Sequence, residues 1–354
     1  MNSKIRTVLL LIGSYLVVLG GIARGDVTEI LGKINSRPSP EREKLLIENA
    51  RKEATLTFYG ATNTRDLQEI VGAFNRHYPF IKVSFSSLGG PGVLNKVLTE
   101  QRAGINRADV IATTGTYLVD LIDKGTLAKY KSPMVPYLRK GFVDAEGLWP
   151  GIDTRGYAVI YNTKRVNANE APRRYEDLLL PRWKRNMIMD VEAHNLFAGL
   201  IDLWGQGRAV DFFRKLSVEQ EVSFSRQSHA FMTQLVATGE HDLIVDGYIH
   251  NAVAMKEKGA PIEFVVFNPT ILMPANIVGI MSSAANPHAA ALFVDYNLSK
   301  EASEIMVKNQ GRWTPRKDVP WTFEPQAELH VVSALAWGRK LKPLVELFRK
   351  TIGQ

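Results

Sequence analysis

Apolar residues alternate between strand and helix spacing along the first third of the chain. In Thr55–Tyr59, Leu56 and Phe58 fall on one face and Thr55, Thr57 and Tyr59 on the other, the period-two pattern of a strand. Leu67, Ile70, Val71 and Phe74 follow at spacings of three and four, one buried helical stripe that Tyr78-Pro79 ends. A second strand, Ile81–Phe85, and a third, Ala108–Ala112, are separated by another helix. This alternation predicts an α/β fold with a parallel sheet and right-handed crossovers. Ahead of it, Leu45, Leu46 and Ala50 give one apolar side to a helix over Glu41–Glu53, and residues 26–40 read as a loosely held lead-in.

The strand ends carry the functional signal. The three strands stop at Gly60-Ala61-Thr62-Asn63, Gly89-Gly90-Pro91-Gly92 and Thr113-Thr114-Gly115-Thr116. In an open α/β sheet ligands bind beyond the carboxyl ends of the strands, where free N–H groups and helix N-termini converge. These loops predict one wall of a ligand cleft.

Between Lys131 and Gly151 the pattern breaks into prolines, glycines and polar residues. A new strand, Asp153–Asn162, then places Tyr157, Val159 and Tyr161 on one face. A crossing into a second domain is expected near Pro150–Gly156, and a return crossing at Met273–Gly279. Between them lie a helix at Tyr175–Leu180, a strand at Met187–Met189, a helix at Asn195–Trp204 and a strand at Leu243–Val245. Helices over Pro287–Tyr296, Ser299–Val307, Leu329–Leu341 and Leu344–Ile352 are expected to rejoin the first domain. The resulting division is 1–25 signal peptide, 26–40 lead-in, 41–153 first lobe, 154–275 second lobe, and 276–354 first-lobe return with C-terminal helices. Two lobes joined by two crossings form a hinge with a cleft, a favoured ligand site.

The first residues read as an export signal. Lys4 and Arg6 precede an apolar run from Val8 to Leu19, too short for a comfortable membrane span, and Gly21-Ile22-Ala23 supplies small residues for cleavage after Ala23 or Gly25. The alternative is an uncleaved anchor. Cleavage after Gly25 would lower the formal charge from +8 to +5. The basic excess is spread along the chain, and the densest cluster, Pro181–Arg185, reads as a solvated turn rather than a nucleic-acid contact. The chain has no cysteine, which excludes disulfides, thiolate metal sites and a cysteine nucleophile.

Catalytic motifs are missing: there is no Walker P-loop, no Gly-x-Ser-x-Gly elbow and no His-Glu-x-x-His zinc helix. The seven histidines each read as surface or structural residues. In the second lobe, Tyr248 falls at a strand end within Asp246–Asn251, where its hydroxyl can bond a ligand or, once ionised, a hard cation. Arg226-Gln-Ser-His229 forms another polar loop, in which Ser228 caps a helix over Ala230–Ala237 and Arg226 faces an anion.

The chain resembles the bacterial extracellular solute-binding proteins of ABC importers, in the branch that contains the periplasmic ferric-ion binders. The resemblance runs through Phe58-Tyr59-Gly60, Tyr78–Val83, Leu94–Gly104, Ala108-Asp109-Val110, Tyr130–Pro133 and Tyr161-Asn162-Thr163. It continues in Ala171-Pro172 with Tyr175–Leu178, Pro181–Lys184, Lys258–Pro261, Asn286–Ala290, Gly311-Arg312 and Pro315-Arg316. It implies a type II periplasmic-binding-protein fold, two α/β lobes on a two-crossing hinge, located in the periplasm. It further implies a monomer without catalysis that captures a solute by closure and hands it to a permease with its ATPase.

Ferric binders of this type resemble one another in a histidine after the first strand, a glutamate after the third and two adjacent tyrosines in the second lobe. Here those positions read Asn63, Thr114 and Tyr248-Ile249. Ferric iron wants hard anionic oxygen ligands, and this chain has lost two of them. The expectation is therefore a small polar or anionic organic solute, no cofactor and no resident metal. Its predicted site is Thr62, Asn63, Gly90, Thr114, Gly115, Tyr157, Arg226, Ser228, Tyr248 and Asn276. Iron, if bound, would fall to Tyr248, Tyr157 and His250. An exported enzyme on the same two-lobed fold, or a sensory input protein, are the readings from other classes.

Overall fold

The computed structural model describes residues 26–310, 312–321, 323 and 325–354; the expected signal peptide lies outside them. The first lobe opens with α1 (Val27–Asn35), α2 (Ser39–Glu53), β1 (Thr55–Gly60), α3 (Thr64–His77), β2 (Lys82–Ser87), α4 (Gly90–Arg102), β3 (Val110–Thr113), α5 (Gly115–Asp123) and β4 (Leu127–Ala128). The long strand β5 (Gly151–Asn162) leads to β6 (Met187–Asp190), α6 (His194–Trp204), α7 (Gln206–Val218), β7 (Ser223–Ser225), α8 (His229–Thr238), β8 (Leu243–Tyr248), α9 (Ile249–Glu257) and β9 (Ile262–Val265). A second long strand, β10 (Thr270–Met281), returns to α10 (Pro287–Asn297), α11 (Lys300–Gln310), β11 (Leu329–Val331), α12 (Ala334–Gly338) and α13 (Leu341–Ile352).

The strands are ordered β2-β1-β3-β10-β5-β8-β6-β7. β1 lies parallel to β2 and β3, as the alternating pattern predicts, and β6 lies parallel to β7 and β8. The two long strands join these halves. β5 pairs antiparallel with β10 over Gly151–Gly156 and with β8 over Tyr157–Tyr161. β10 pairs with β5 over Leu272–Ile277 and with β3 over Ile277–Ile280. Each strand is therefore first-lobe at one end and second-lobe at the other, and this shared ribbon is the hinge. The fold is the type II periplasmic-binding-protein fold.

Two cores lie on either side of the ribbon. Phe58 and Phe74 meet Phe293 of α10 at 4.8 and 5.0 Å between ring centres. Beyond the ribbon, Phe197 of α6 and Phe213 of α7 meet at 5.1 Å.

Three expectations need correction. The lead-in is not loose: Val27, Leu31 and Ile34, spaced by four and three, are buried as one face of α1, which packs on α2 and α10. The Asp26 carboxylate caps it by accepting the Thr28 N–H at 2.9 Å. Residues 329–341 are not one helix. Leu329–Val331 adds a strand beside β10, and Ser333 then caps the short α12 by accepting the Ala336 N–H. The last helix also does not rejoin the first lobe. Leu344, Phe348 and Ile352 are buried against the second-lobe core, with Phe348 5.3 and 5.4 Å from Phe197 and Phe213. α12 stays on α5, where Arg339 pairs with Asp123, while Trp337 donates to Asp202 of α6. The chain between α11 and α13 thus makes a third connection between the lobes.

Candidate functional site

The cleft between the lobes holds two adjoining chambers. The larger, about 600 Å³, is lined by Asn63 and Asp66 of the first lobe, Asp153–Arg155 of the hinge, and Asp190, His229, Tyr248 and His250 of the second lobe. The smaller, about 180 Å³, is lined by Thr114–Tyr117, Glu192, His194, Ser333 and Trp337. Arg155, Asp190 and Tyr248 line both. The chambers also collect helix N-termini. Asn63 caps α3, Thr114 precedes α5, His194 opens α6, Ser228 caps α8, Tyr248 precedes α9 and Ser333 caps α12. Uncommitted N–H groups and aligned peptide dipoles make this an anion-favouring surface.

The charged groups divide into spent and unspent. Arg312 is spent: it donates to Asp153 at 2.6 Å, to Asp66 at 2.8 Å and to the Thr62 hydroxyl. Asp153 also accepts the Asn276 backbone N–H at 2.6 Å and its side-chain amide at 2.8 Å, closing a buried network on the hinge. Arg155 is unspent. Its guanidinium lies 5.5 Å from the Tyr248 ring centre, and among the described residues no carboxylate pairs with it. Half-buried and shared by both chambers, it is the cation available to a ligand.

Behind it, the His229 ring lies between two carboxylates, with Nε2 3.3 Å from Asp246 and Nδ1 3.7 Å from Asp190. Tyr248 stacks on this ring at 3.9 Å and on His250 at 5.6 Å. Asp246 is fully buried and also accepts the Asp190 N–H. Burial, then the charge of Asp246, pushes the Asp190 carboxyl up to about 6. Burial, then Arg155 and Arg312, pushes His250 down to about 4. Ligand atoms of Asp190, His229 and Asp246 lie within 4.8 Å of one another, close enough to share a metal ion. Asp190 and His229 face the larger chamber, and Asp246 is oriented to hold the histidine from behind.

Of the predicted site residues, Asn63, Ser228, Tyr248 and His250 line the larger chamber, and Thr114 and Gly115 the smaller. Gly115 serves packing as well: a Cβ there would lie 2.1 Å from that of Ala334. Tyr157 is buried beside Tyr248, ring centres 5.4 Å apart, and burial holds its phenol well above the usual value. Thr62 and Asn276 belong to the hinge network rather than to the chambers. Gly90 opens α4 beneath the Tyr117 ring, and Arg226 is exposed outside both linings. Sequence reasoning missed Arg155, Asp190, Glu192 and the role of His229. Arg155 carried no signal of its own: Asp153 shares the strand face of Arg155, Tyr157, Val159 and Tyr161, and alternation does not say which of the two charges is paired.

Residues 106–337 match the family model for bacterial extracellular solute-binding proteins. The chain belongs to that family. It is 28% identical over 299 residues to an uncharacterised protein of Haemophilus influenzae, covering 78% of this chain and 84% of that one. It is 24% identical over 296 residues to the major ferric iron-binding protein of Neisseria meningitidis, covering 78% and 86%. Iron-bound HitA from Pseudomonas aeruginosa superposes with a TM-score of 0.72 at 21% identity, covering 84% of this chain and 99% of that one. AfuA from Actinobacillus pleuropneumoniae, with exogenous fructose-6-phosphate bound, gives 0.69 at 24% identity, covering 84% and 98%. The resemblance read in the sequence, to importer solute-binding proteins of the iron-binding branch, agrees with these relatives. Among the described residues no helix is long and apolar enough to cross a membrane.

Proposed function

We propose that this solute-binding protein is the periplasmic receptor of an ABC importer whose cargo is a small anionic organic solute. The observation that carries the reading is Arg155, a cation on the hinge strand with no carboxylate partner among the described residues, in the lining of both chambers together with several helix N-termini. A half-buried guanidinium without a partner stabilises an incoming carboxylate or phosphate through charge-assisted, two-pronged hydrogen bonds. Residues 41–153 with α10 and α11 move as one body, and 154–275 with α13 as the other, bending at β5 and β10. A ligand drives closure only through its greater affinity for the closed form, and Asn63 and Thr114 approach from the opposite wall to supply that difference. Nothing in the cleft is asked to perform catalysis, and the receptor works as a monomer that presents its cargo to a permease and ATPase.

Native mass spectrometry of the mature protein from cell envelopes, followed by denaturation, tests the reading. A released organic anion, and loss of its rebinding in Arg155→Ala by about tenfold or more, is the expected result. A released compound without a carboxylate, phosphate or other acidic group, or unchanged affinity in the variant, overturns it.

A specific observation favours a second reading, ferric cargo. Tyr248 stands over the Asp190–His229 pair, and Tyr157 lies directly behind it. Such oxygen and nitrogen donors suit a hard cation, although the first lobe offers the neutral Asn63 and Thr114. Tight one-to-one iron binding abolished by Tyr248→Phe would put this reading first. The relatives fit either cargo, since one structure is described as iron-bound and another as holding a sugar phosphate.

A further inference from the structure

The smaller chamber carries a charge pattern that an anion alone leaves unmatched. Arg155 is its cation without a carboxylate partner among the described residues. The same lining holds two carboxylates, Asp190 and Glu192. Glu192 is exposed at the rim, and among the described residues its side chain has no hydrogen-bond or ion-pair partner. Asp190 accepts the Glu192 N–H with one oxygen at 2.9 Å, and its other oxygen faces only His229 Nδ1, at 3.7 Å beyond hydrogen-bond reach, while the ring's Nε2 lies 3.3 Å from Asp246. Arg312 cannot help, because Asp66 and Asp153 hold it.

We infer that the cargo is a zwitterion, with an acidic head on Arg155 and an ammonium tail between Glu192 and Asp190. This rests on the anion-receptor reading above and narrows its substrate class. Lobe closure removes water from both carboxylates. A buried carboxylate is strongly unfavourable unless a cation or several hydrogen-bond donors replace the lost water. A simple anion would occupy Arg155 and then repel Asp190 and Glu192. A neutral hydroxyl donates one hydrogen bond and supplies no charge. An ammonium supplies three donors and a positive charge, matching two acceptor-only groups. The larger chamber, reached past Arg155 and Tyr248, leaves room for substituents on the chain between the two charged ends.

Calorimetric titration with matched probes tests the inference. Phosphoethanolamine is compared with ethyl phosphate and glycerol phosphate, and 4-aminobutyrate with butyrate. The expected result is a preference of about tenfold or more for the amine in at least one series. Glu192→Gln and Asp190→Asn should each erode that preference, lowering the affinity for the amine and raising that for the amine-free anion. Both replacements keep the side-chain shape, and thermal melting checks that each variant is folded. No amine preference in either series, or a preference untouched by both variants, overturns the zwitterion and leaves the anion receptor standing. Binding of none of the five probes, with no released anion in the mass-spectrometric experiment, overturns the anion reading and the inference with it.

Discussion

Gly115 shows how one residue type decides a local contact. With Gly338 it lets α12 lie directly on α5: a Cβ at Gly115 would meet Ala334 at 2.1 Å, and one at Gly338 would meet Val119 at 2.5 Å. Gly115→Ala should therefore lower stability by about 1–3 kcal/mol through overpacking. Gly32→Ala, in α1 with nothing within 4 Å, should instead raise it by about 0.5–1 kcal/mol. Paired thermal melts check both. His250 makes a pH prediction. In the folded cleft it holds its proton only below about 4, whereas unfolded it takes one near 6.5. The unfolded chain thus binds more protons between those values, so the contribution of His250 is complete above 6.5 and lost as pH falls through about 4. Asp190 works the other way. Its carboxyl, at about 6 against an ordinary 3.8, favours the fold most below 3.8 and loses that contribution as pH rises through 6. His250→Gln should remove the first slope and leave stability falling from pH 4 to 6, measured by urea unfolding across that range.

At the scale of elements, the hinge ribbon depends on Asp153. Its carboxylate serves Arg312, the Asn276 N–H and the Asn276 amide within a buried network. Asp153→Ala leaves these donors without their acceptor and should cost on the order of 3 kcal/mol, with Asp153→Asn milder. Denaturant unfolding measures both. α13 tests the placement of the C-terminus. Phe348→Ala opens a cavity beside Phe197 and Phe213 and should cost about 3–5 kcal/mol. Hydrogen exchange should then speed up in α6 and α7 and stay unchanged in α3. The strands β1 to β3 were legible in the sequence because alternation and strand-end turns are local signals. α1 was not legible, because its Val27–Leu31–Ile34 stripe is only about two turns long and its burial depends on α2 and α10. The course of α13 was not legible, because its amphipathic face is equally suited to either core.

Across the whole molecule, two lobes on a ribbon imply a closing motion. Solution scattering should show a smaller radius of gyration when cargo is saturating, and no such change for Arg155→Ala at the same cargo concentration. The sequence by itself determined the α/β alternation, the small polar loops that end the first-lobe strands, the two crossings and the absence of thiol chemistry. Each is a property of residues close together in the chain or of composition. Only the tertiary structure decided which charges remain for a ligand. Arg155 and Arg312 are the same residue type, and nothing local to either tells them apart. Arg312 is neutralised by Asp66 and Asp153, which stand 246 and 159 positions away. Arg155 meets no such partner among the described residues, because ion pairing depends on distance through space, which the fold alone sets.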